Sequence, residues 1–259
     1  MTLKPDTTNN VIGRIVIVTG GGTGIGRSYA KHFAANGAIP IIAEIDIEAG
    51  ENVAREIESD GGQAMAIQTD VSDEDSVAAM IAGVMKKFDR IDVLINNAAI
   101  FSTVRRSRFE DISRDDWTKM LDVNVIGSWM CAKLAVPHME NGGYGRIINI
   151  SSSTVPVGLP LLMHYVTSKA AIVGMTRCMA SELGERGITC NAILPGMTDS
   201  EVEYIGRTEE SLNGVMSMQK IKRFEQTDDL VGIVLFIASP ASGFMTGQSI
   251  IVDGGMAYS

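Results

Sequence analysis

A strand, a glycine-rich turn and a helix follow one another without interruption from Arg14 to about residue 36, and few folds accommodate that junction. Arg14-Ile15-Val16-Ile17-Val18-Thr19 is short, apolar and β-branched, the pattern of a buried strand. Gly20-Gly21-Gly22-Thr23-Gly24-Ile25-Gly26 comes next, and helical periodicity begins near Arg27. Glycine lets main chain approach a pyrophosphate closely, and a helix N-terminus offers unpaired N–H groups at the positive end of its dipole. The spacing Gly20-x-x-x-Gly24-x-Gly26 is not the G-x-G-x-x-G fingerprint, so a glycine turn without a ligand competes with this reading. The strand before it and the helix after it favour the phosphate cradle.

The next apolar run, Ile39-Pro40-Ile41-Ile42-Ala43, ends in Glu44, 24 positions after Gly20. An acid at about that distance hydrogen-bonds the adenosine ribose hydroxyls of NAD and repels the 2′-phosphate of NADP. No Arg or Lys stands beside Glu44 or between Gly20 and Gly26 to receive that phosphate, so NAD is the expected cofactor. Asp46 is the rival for the ribose, and a solvated acid at a strand end is the plain alternative for Glu44. Pro40 cannot donate a ladder hydrogen bond and belongs in the strand's first turn.

Further strand-like runs at 64–69, 91–95, 146–150, 188–194 and 249–252 alternate with helical patterns at about 24–36, 47–59, 73–88, 114–138, 163–184 and 227–238. Such alternation predicts a doubly wound (Rossmann) α/β fold, a mostly parallel seven-stranded sheet with helices on both faces. The 259 residues suffice for one large core and no linker or repeat divides them, so a single domain spanning 1–259 is expected. The stretch 197–224 is polar, weakly periodic and read as a long loop, a candidate substrate lid.

A net charge of −9 disfavours nucleic acid and anionic membrane surfaces as partners. No apolar run approaches the ~20 residues of a membrane span. The polar first ten residues lack the charged-then-apolar order of a secretion signal, so a cytoplasmic location is expected. Cys131, Cys178 and Cys190 form neither a disulfide framework nor a zinc motif and read as small buried apolar residues; no metal is expected.

Tyr165 and Lys169, four residues apart, share one face of a predicted helix. A free tyrosine ionises near pH ~10, too high for a base at neutral pH. A cation held nearby favours the phenolate and is expected to pull that value down. The pair alone is common by chance and draws its weight from its company.

That company resembles the short-chain dehydrogenase/reductase family along nearly the whole chain. Thr19 to Gly26 looks like the family's cofactor motif, and Asn96-Asn97-Ala98-Ala99 like its post-strand segment, which usually ends in Gly. Asn124 in Asn124-Val125-Ile126-Gly127 matches the catalytic asparagine. Ser152 stands 13 residues before Tyr165, the family's serine-to-tyrosine spacing, and Lys169 completes the set. Pro195-Gly196 matches the segment that passes the nicotinamide.

The resemblance implies that Tyr165 exchanges the alcohol proton, Lys169 lowers its pKa and holds the nicotinamide ribose, and Ser152 binds the substrate oxygen. Asn124 would position a water behind Lys169. Asp70 and Val71 would meet the adenine, Asn97 and Ala98 the ribose, and main chain around Thr23 and Ile25 the pyrophosphate. Thr198 or Ser200 would touch the phosphates or carboxamide. Asp70 has a second reading as a helix cap, and only spacing separates Ser152 from Ser151 and Ser153. The family also implies a homotetramer built on the long helices and the C-terminal strand region.

Substrate choice is expected in 155–164, 100–109 and 197–224. Val155, Pro156, Leu159, Leu161, Leu162 and Met163 suggest a pocket for an apolar flank, with Met197, Met216 and Met218 either a pliable cover or plain packing. His164 is a weaker candidate for the pocket, since a helix neighbour points away by roughly 100°. Arg105, Arg106 and Arg108 form either an anion site for a substrate carboxylate or phosphate, or a solvated loop or subunit contact. The principal expectation is an NAD-dependent dehydrogenase of a secondary alcohol or its ketone, with an apolar or aryl-alkyl flank. A 3-oxoacyl or sugar-type reductase and a non-catalytic dinucleotide-binding regulatory module are the alternatives.

Overall fold

The computed structural model describes residues 9–205 and 208–258. The polar N-terminal stretch at 1–8, part of the secretion-signal reading, lies outside them. The strands are β1 (Ile15–Thr19), β2 (Ile39–Glu44), β3 (Met65–Gln68), β4 (Val93–Asn96), β5 (Gly145–Ile150), β6 (Ile188–Pro195), β7 (Thr198–Asp199), β8 (Glu225–Gln226) and β9 (Ser249–Val252). Seven of them form one sheet in the order β3-β2-β1-β4-β5-β6-β9, and every pairing in it is parallel. The strand order reverses between β1 and β4, and that reversal opens a crevice at the C-terminal strand ends.

The helices are α1 (Gly24–Ala35), α2 (Ile47–Ser59), α3 (Glu74–Phe88), α4 (Arg114–Leu121), α5 (Ser128–Asn141), α6 (Thr154–Val157), α7 (Met163–Leu183), α8 (Glu209–Met218) and α9 (Thr227–Ala238). Side chains alternate across a strand, so β1 serves two cores. Ile15 and Ile17 pack with Val77, Met80 and Val84 of α3 and with Ala132 and Ala135 of α5. Val16 and Val18 pack with Tyr29 and Phe33 of α1 and with Leu230 and Val234 of α9. Full burial of each such side chain contributes roughly 1.5–3 kcal/mol. Pro40 pairs with Val16, but the β2–β3 ladder starts only at Ile41, so no β3 partner is denied an N–H.

Three expectations need correction. The helix read at 114–138 is interrupted by a π-helical turn, Asp122–Gly127, between α4 and α5. Gly127 lets the end of that turn approach Val71, because a Cβ on it would lie 2.9 Å from the Val71 carbonyl oxygen. The 197–224 stretch is not structureless: it holds α8, and the β7–β8 ladder closes its base. A capping box starts α8, with Ser211 N–H donating to Thr208 Oγ1 at 3.1 Å and Thr208 N–H to Ser211 Oγ at 3.0 Å. Cys131 and Cys190 are buried, but Cys178 is exposed, on the outward face of α7. Among the described residues no helix is long and apolar enough to cross a membrane, and no cluster of three His, Cys, Asp or Glu could hold a metal ion.

Candidate active site

A cavity of about 600 Å³ fills the crevice. Gly20, Thr23, Gly24, Ile25, Glu44, Asp70 and Val71 line one end, and Asn97 and Ala98 line the middle. Ser152, Tyr165 and Lys169 lie together further along, with Pro195, Gly196 and Thr198 beside them. Gly26 and Asn124, also singled out from the sequence, stand behind the wall rather than in it.

The glycine turn can exist only without side chains. Gly20 has φ +62°, and a Cβ on it would sit 2.9 Å from Ala98 Cα. A Cβ on Gly26 would lie 2.0 Å from the Gly20 carbonyl oxygen and 2.6 Å from Asn97 Nδ2. Asn97 fastens the turn from across the crevice, its Nδ2 donating to the carbonyls of Thr19 and Gly20 at 3.0 Å each. At the head of α1, Thr23 offers no side-chain cap. The Gly24 N–H donates instead to Glu201 Oε1 at 3.0 Å, so an anion already occupies this helix terminus. The cradle and the anion-seeking helix end fit a dinucleotide pyrophosphate.

Glu44 closes this end. Its Oε2 accepts from Gly22 N–H at 2.9 Å and its Oε1 from Ile45 N–H at 3.0 Å. Asp46, the rival acid, caps α2 by accepting from Glu48 and Ala49 N–H and does not line the cavity. Asp70 accepts from the N–H and hydroxyl of Ser72 at 2.9 and 2.6 Å. The cap of α3 is Asp73, so the cap reading of Asp70 fails.

At the other end Ser152, Tyr165 and Lys169 are all buried. Lys169 Nζ donates to the Ile150 carbonyl at 2.8 Å and stands 5.8 Å from the Tyr165 ring centre. Burial pushes the Tyr165 phenol up to about 12, and its hydrogen bond with Ser152 pulls the other way. Burial also pulls the Lys169 ammonium down to about 8. The expected downward pull on Tyr165 therefore does not prevail in this chain by itself; loss of hydration outweighs it. Phe101 packs on Tyr165 with ring centres 4.9 Å apart, and Tyr204 packs on Phe101 at 5.3 Å.

The structure separates the three serines. Ser151 Oγ donates to the Lys169 carbonyl at 2.7 Å and is committed there. Ser153 N–H donates to the Pro195 carbonyl at 2.9 Å, tying β5 to the end of β6. Ser152 Oγ accepts from Thr154 N–H at 3.2 Å and from Thr154 Oγ1 at 3.0 Å, and it is the serine whose hydroxyl acts on the Tyr165 phenol. Asn124, in the π-helical turn, uses its side chain as a brace: Oδ1 accepts from Ile100 N–H at 2.8 Å and Nδ2 donates to Ser168 Oγ at 3.0 Å. Its carbonyl accepts from Ser128 Oγ at 3.0 Å. His164 turns away from the cavity and meets Trp117 edge-on at 6.2 Å. Of the expected apolar wall, Leu159 and Leu162 line the cavity, as do Met197 and Met218; Val155, Pro156, Leu161, Met163 and Met216 do not.

Two acids escaped the sequence reading. Glu201 is the partner of Gly24 just described. Glu225, buried, accepts from Gly196 N–H at 3.1 Å and from Thr198 Oγ1 at 2.7 Å, so it fixes the Pro195–Thr198 corner. Burial pushes its carboxyl up to about 7.

Fold and site together define a dinucleotide-binding oxidoreductase of the Rossmann type. The family model described as enoyl-(acyl carrier protein) reductase matches residues 20–257. A 3-oxoacyl-acyl-carrier-protein reductase of Staphylococcus aureus is 37% identical over 241 residues, 93% of this chain and 96% of that protein. The short chain dehydrogenase/reductase astE of Aspergillus oryzae is 35% identical over 252 residues, 95% of each chain. Among solved structures, a 7α-hydroxysteroid dehydrogenase complexed with NADH and 7-oxo glycochenodeoxycholic acid superposes with a TM-score of 0.91 at 31% identity, covering 98% of each chain. The chain belongs to the short-chain dehydrogenase/reductase family of nicotinamide-dinucleotide-linked oxidoreductases.

Proposed function

We propose that this protein interconverts a secondary alcohol and its ketone with NAD(H), on a substrate with an apolar or aryl-alkyl flank. The observation that carries the reading is the meeting of Ser152, Tyr165 and Lys169 on one cavity whose far end holds the glycine turn and Glu44. When bound, the dinucleotide supplies the hydride acceptor or donor. Tyr165 Oη passes the proton to the substrate oxygen or takes it. Ser152 Oγ holds that oxygen in place, an oxyanion-type contact. Lys169 provides the positive charge behind Tyr165, and Asn124 keeps the wall between Ile100 and α7 in register. Phe101, Val104, Leu159 and Leu162 exclude water and receive the flank.

NAD rather than NADP is supported by Glu44 and Asp70, the charged side chains lining the adenosine end. The nearest arginine on α1, Arg27, is already paired with Glu56 at 2.7 Å. Val215 and Met218 of α8 line the cavity, which supports 197–224 as a substrate lid within a single domain. A homotetramer in the cytoplasm completes the reading, and light scattering on the purified protein tests the subunit number. A 3-oxoacyl reductase is the second reading, favoured by the same apolar wall and by the Staphylococcus aureus relative. The triad-like grouping of Ser152, Tyr165 and Lys169 speaks against a regulatory module.

The test is the absorbance of reduced nicotinamide with NAD or NADP against secondary alcohols, aryl-alkyl carbinols, polyols and hydroxy acids. Turnover with NAD and a carbinol is the expected result. Turnover with NADP alone would overturn the role given to Glu44.

A further inference from the structure

The residues that line the cavity include four charged ones: Glu44, Asp70, Lys169 and Arg106. Three are satisfied locally. Glu44 accepts from Gly22, Asp70 accepts from Ser72, and Lys169 donates to Ile150. Arg106 differs. It is exposed, two residues from Val104 of the cluster that holds Leu162 and Tyr165, and no hydrogen bond or ion pair joins it to another described residue. Its neighbours do not share its place: Arg105 and Arg108 are absent from the lining, and Arg108 pairs with Glu110 at 2.6 Å.

The segment that carries Arg106 is held on both sides of the cavity. Val104 packs in one buried cluster with Leu162 and Tyr165. Ser107 N–H donates to the Leu161 carbonyl at 3.0 Å, and Ile205 N–H donates to the Ser102 carbonyl at 3.1 Å. Arg106 therefore sits where a molecule reaching out from Tyr165 along Phe101, Val104, Leu159 and Leu162 would end.

We propose that Arg106 anchors the substrate: the physiological substrate is a hydroxy or oxo acid whose carboxylate pairs with Arg106 while its apolar body spans to Ser152 and Tyr165. The proposal rests on the dehydrogenase reading above. A guanidinium matches a carboxylate through two parallel N–H donors. One unpaired cation suits a monoanion, whereas a phosphate dianion would leave a charge unmatched. An apolar wall alone separates homologous substrates only weakly, so a charge at its end supplies the missing selectivity.

The experiment compares 4-acetylbenzoate with its methyl ester. Binding of each to the protein loaded with NADH is followed by nucleotide fluorescence, with turnover read in parallel. The wild type should bind the acid roughly tenfold or more tighter than the ester. In Arg106→Ala the ratio should fall to about one, Arg106→Lys should keep part of it, and added salt should narrow it in the wild type. Equal binding of acid and ester, binding of neither, or an unchanged ratio in Arg106→Ala overturns the anchor. A preserved ratio without turnover supports the anchor and faults the dehydrogenase reading instead.

Discussion

Glu225 offers a quantitative test of how burial acts in this fold. Its carboxyl titrates at about 7 in the folded chain against an ordinary 4.5, because burial disfavours the charge and Asp229 and Asp253 add repulsion. The Thr198 hydroxyl and Gly196 N–H pull the other way, while Tyr29, facing it from α1, has a buried hydroxyl with no partner. Arg223 is engaged by Asp229, its NH2 donating at 2.6 Å. A folded-state value above the unfolded one means that the favourable term is complete below about 4.5 and lost as pH rises through about 7. At ~1.4 kcal/mol per decade the gap amounts to ~3 kcal/mol. Glu225→Gln keeps the shape and one acceptor but cannot ionise. Below about pH 4.5 the two proteins should therefore differ by a fixed offset, and above about pH 7 the variant should gain ~3 kcal/mol on the wild type. For a chain of this size that is roughly 6–10 °C in Tm. Scanning calorimetry of both proteins across this pH range reads it directly. A Tm difference that does not change with pH, or one that grows in favour of the wild type at high pH, refutes the reasoning.

Other outcomes follow from named contacts. Gly26→Ala places a Cβ 2.0 Å from the Gly20 carbonyl, so the turn must shift; a loss of roughly 1–3 kcal/mol in denaturant unfolding and loss of NADH fluorescence enhancement are expected, and unaltered nucleotide binding would contradict the cradle. Glu201→Gln removes the carboxylate held at the head of α1; NADH should bind severalfold tighter by fluorescence titration, and weaker binding would mean that Glu201 helps rather than competes. Tyr165→Phe should abolish turnover and leave NADH affinity within about twofold, measured side by side; retained turnover would remove Tyr165 from the chemistry.

What the sequence disclosed was local. The glycine turn, the strand before it and the Tyr165–Lys169 spacing are set by residues within one or two turns of each other, and the alternation of apolar runs gave the seven parallel strands. Contacts between distant segments were hidden. Glu201 meets Gly24 across 177 positions and Glu225 meets Gly196 across 29, and neither acid stands in a pattern that marks it. The π-helical turn at Asp122–Gly127 leaves the apolar periodicity of 114–138 almost unbroken, because an extra residue per turn changes hydrogen bonding rather than composition. Helix α8 was missed although its T-x-x-S start, Thr208 to Ser211, was legible; Gly214 and the polar residues around Leu212 masked the period. The choice between Glu44 and Asp46 turned on a cap, since Asp46 opens α2.

Tyr165 and Lys169 bring these threads together. Both are buried, and one cause moves them in opposite directions: each is pushed toward its uncharged form, the phenol to about 12 and the ammonium to about 8. At neutral pH the pair without dinucleotide is thus a phenol beside an ammonium, the form that gives a proton to a carbonyl. Alcohol oxidation needs the phenolate, so it requires further positive charge near Tyr165, and the apparent values measured in turnover belong to the pair rather than to either residue. The difference in tyrosinate absorbance between wild type and Tyr165→Phe isolates this one phenol among the five tyrosines. In the dinucleotide-free protein no such signal should develop below pH ~10, the free-phenol value. A tyrosinate signal with a midpoint below pH ~9 would show that the Lys169 charge outweighs burial, as the spacing of the pair in the sequence leads one to expect.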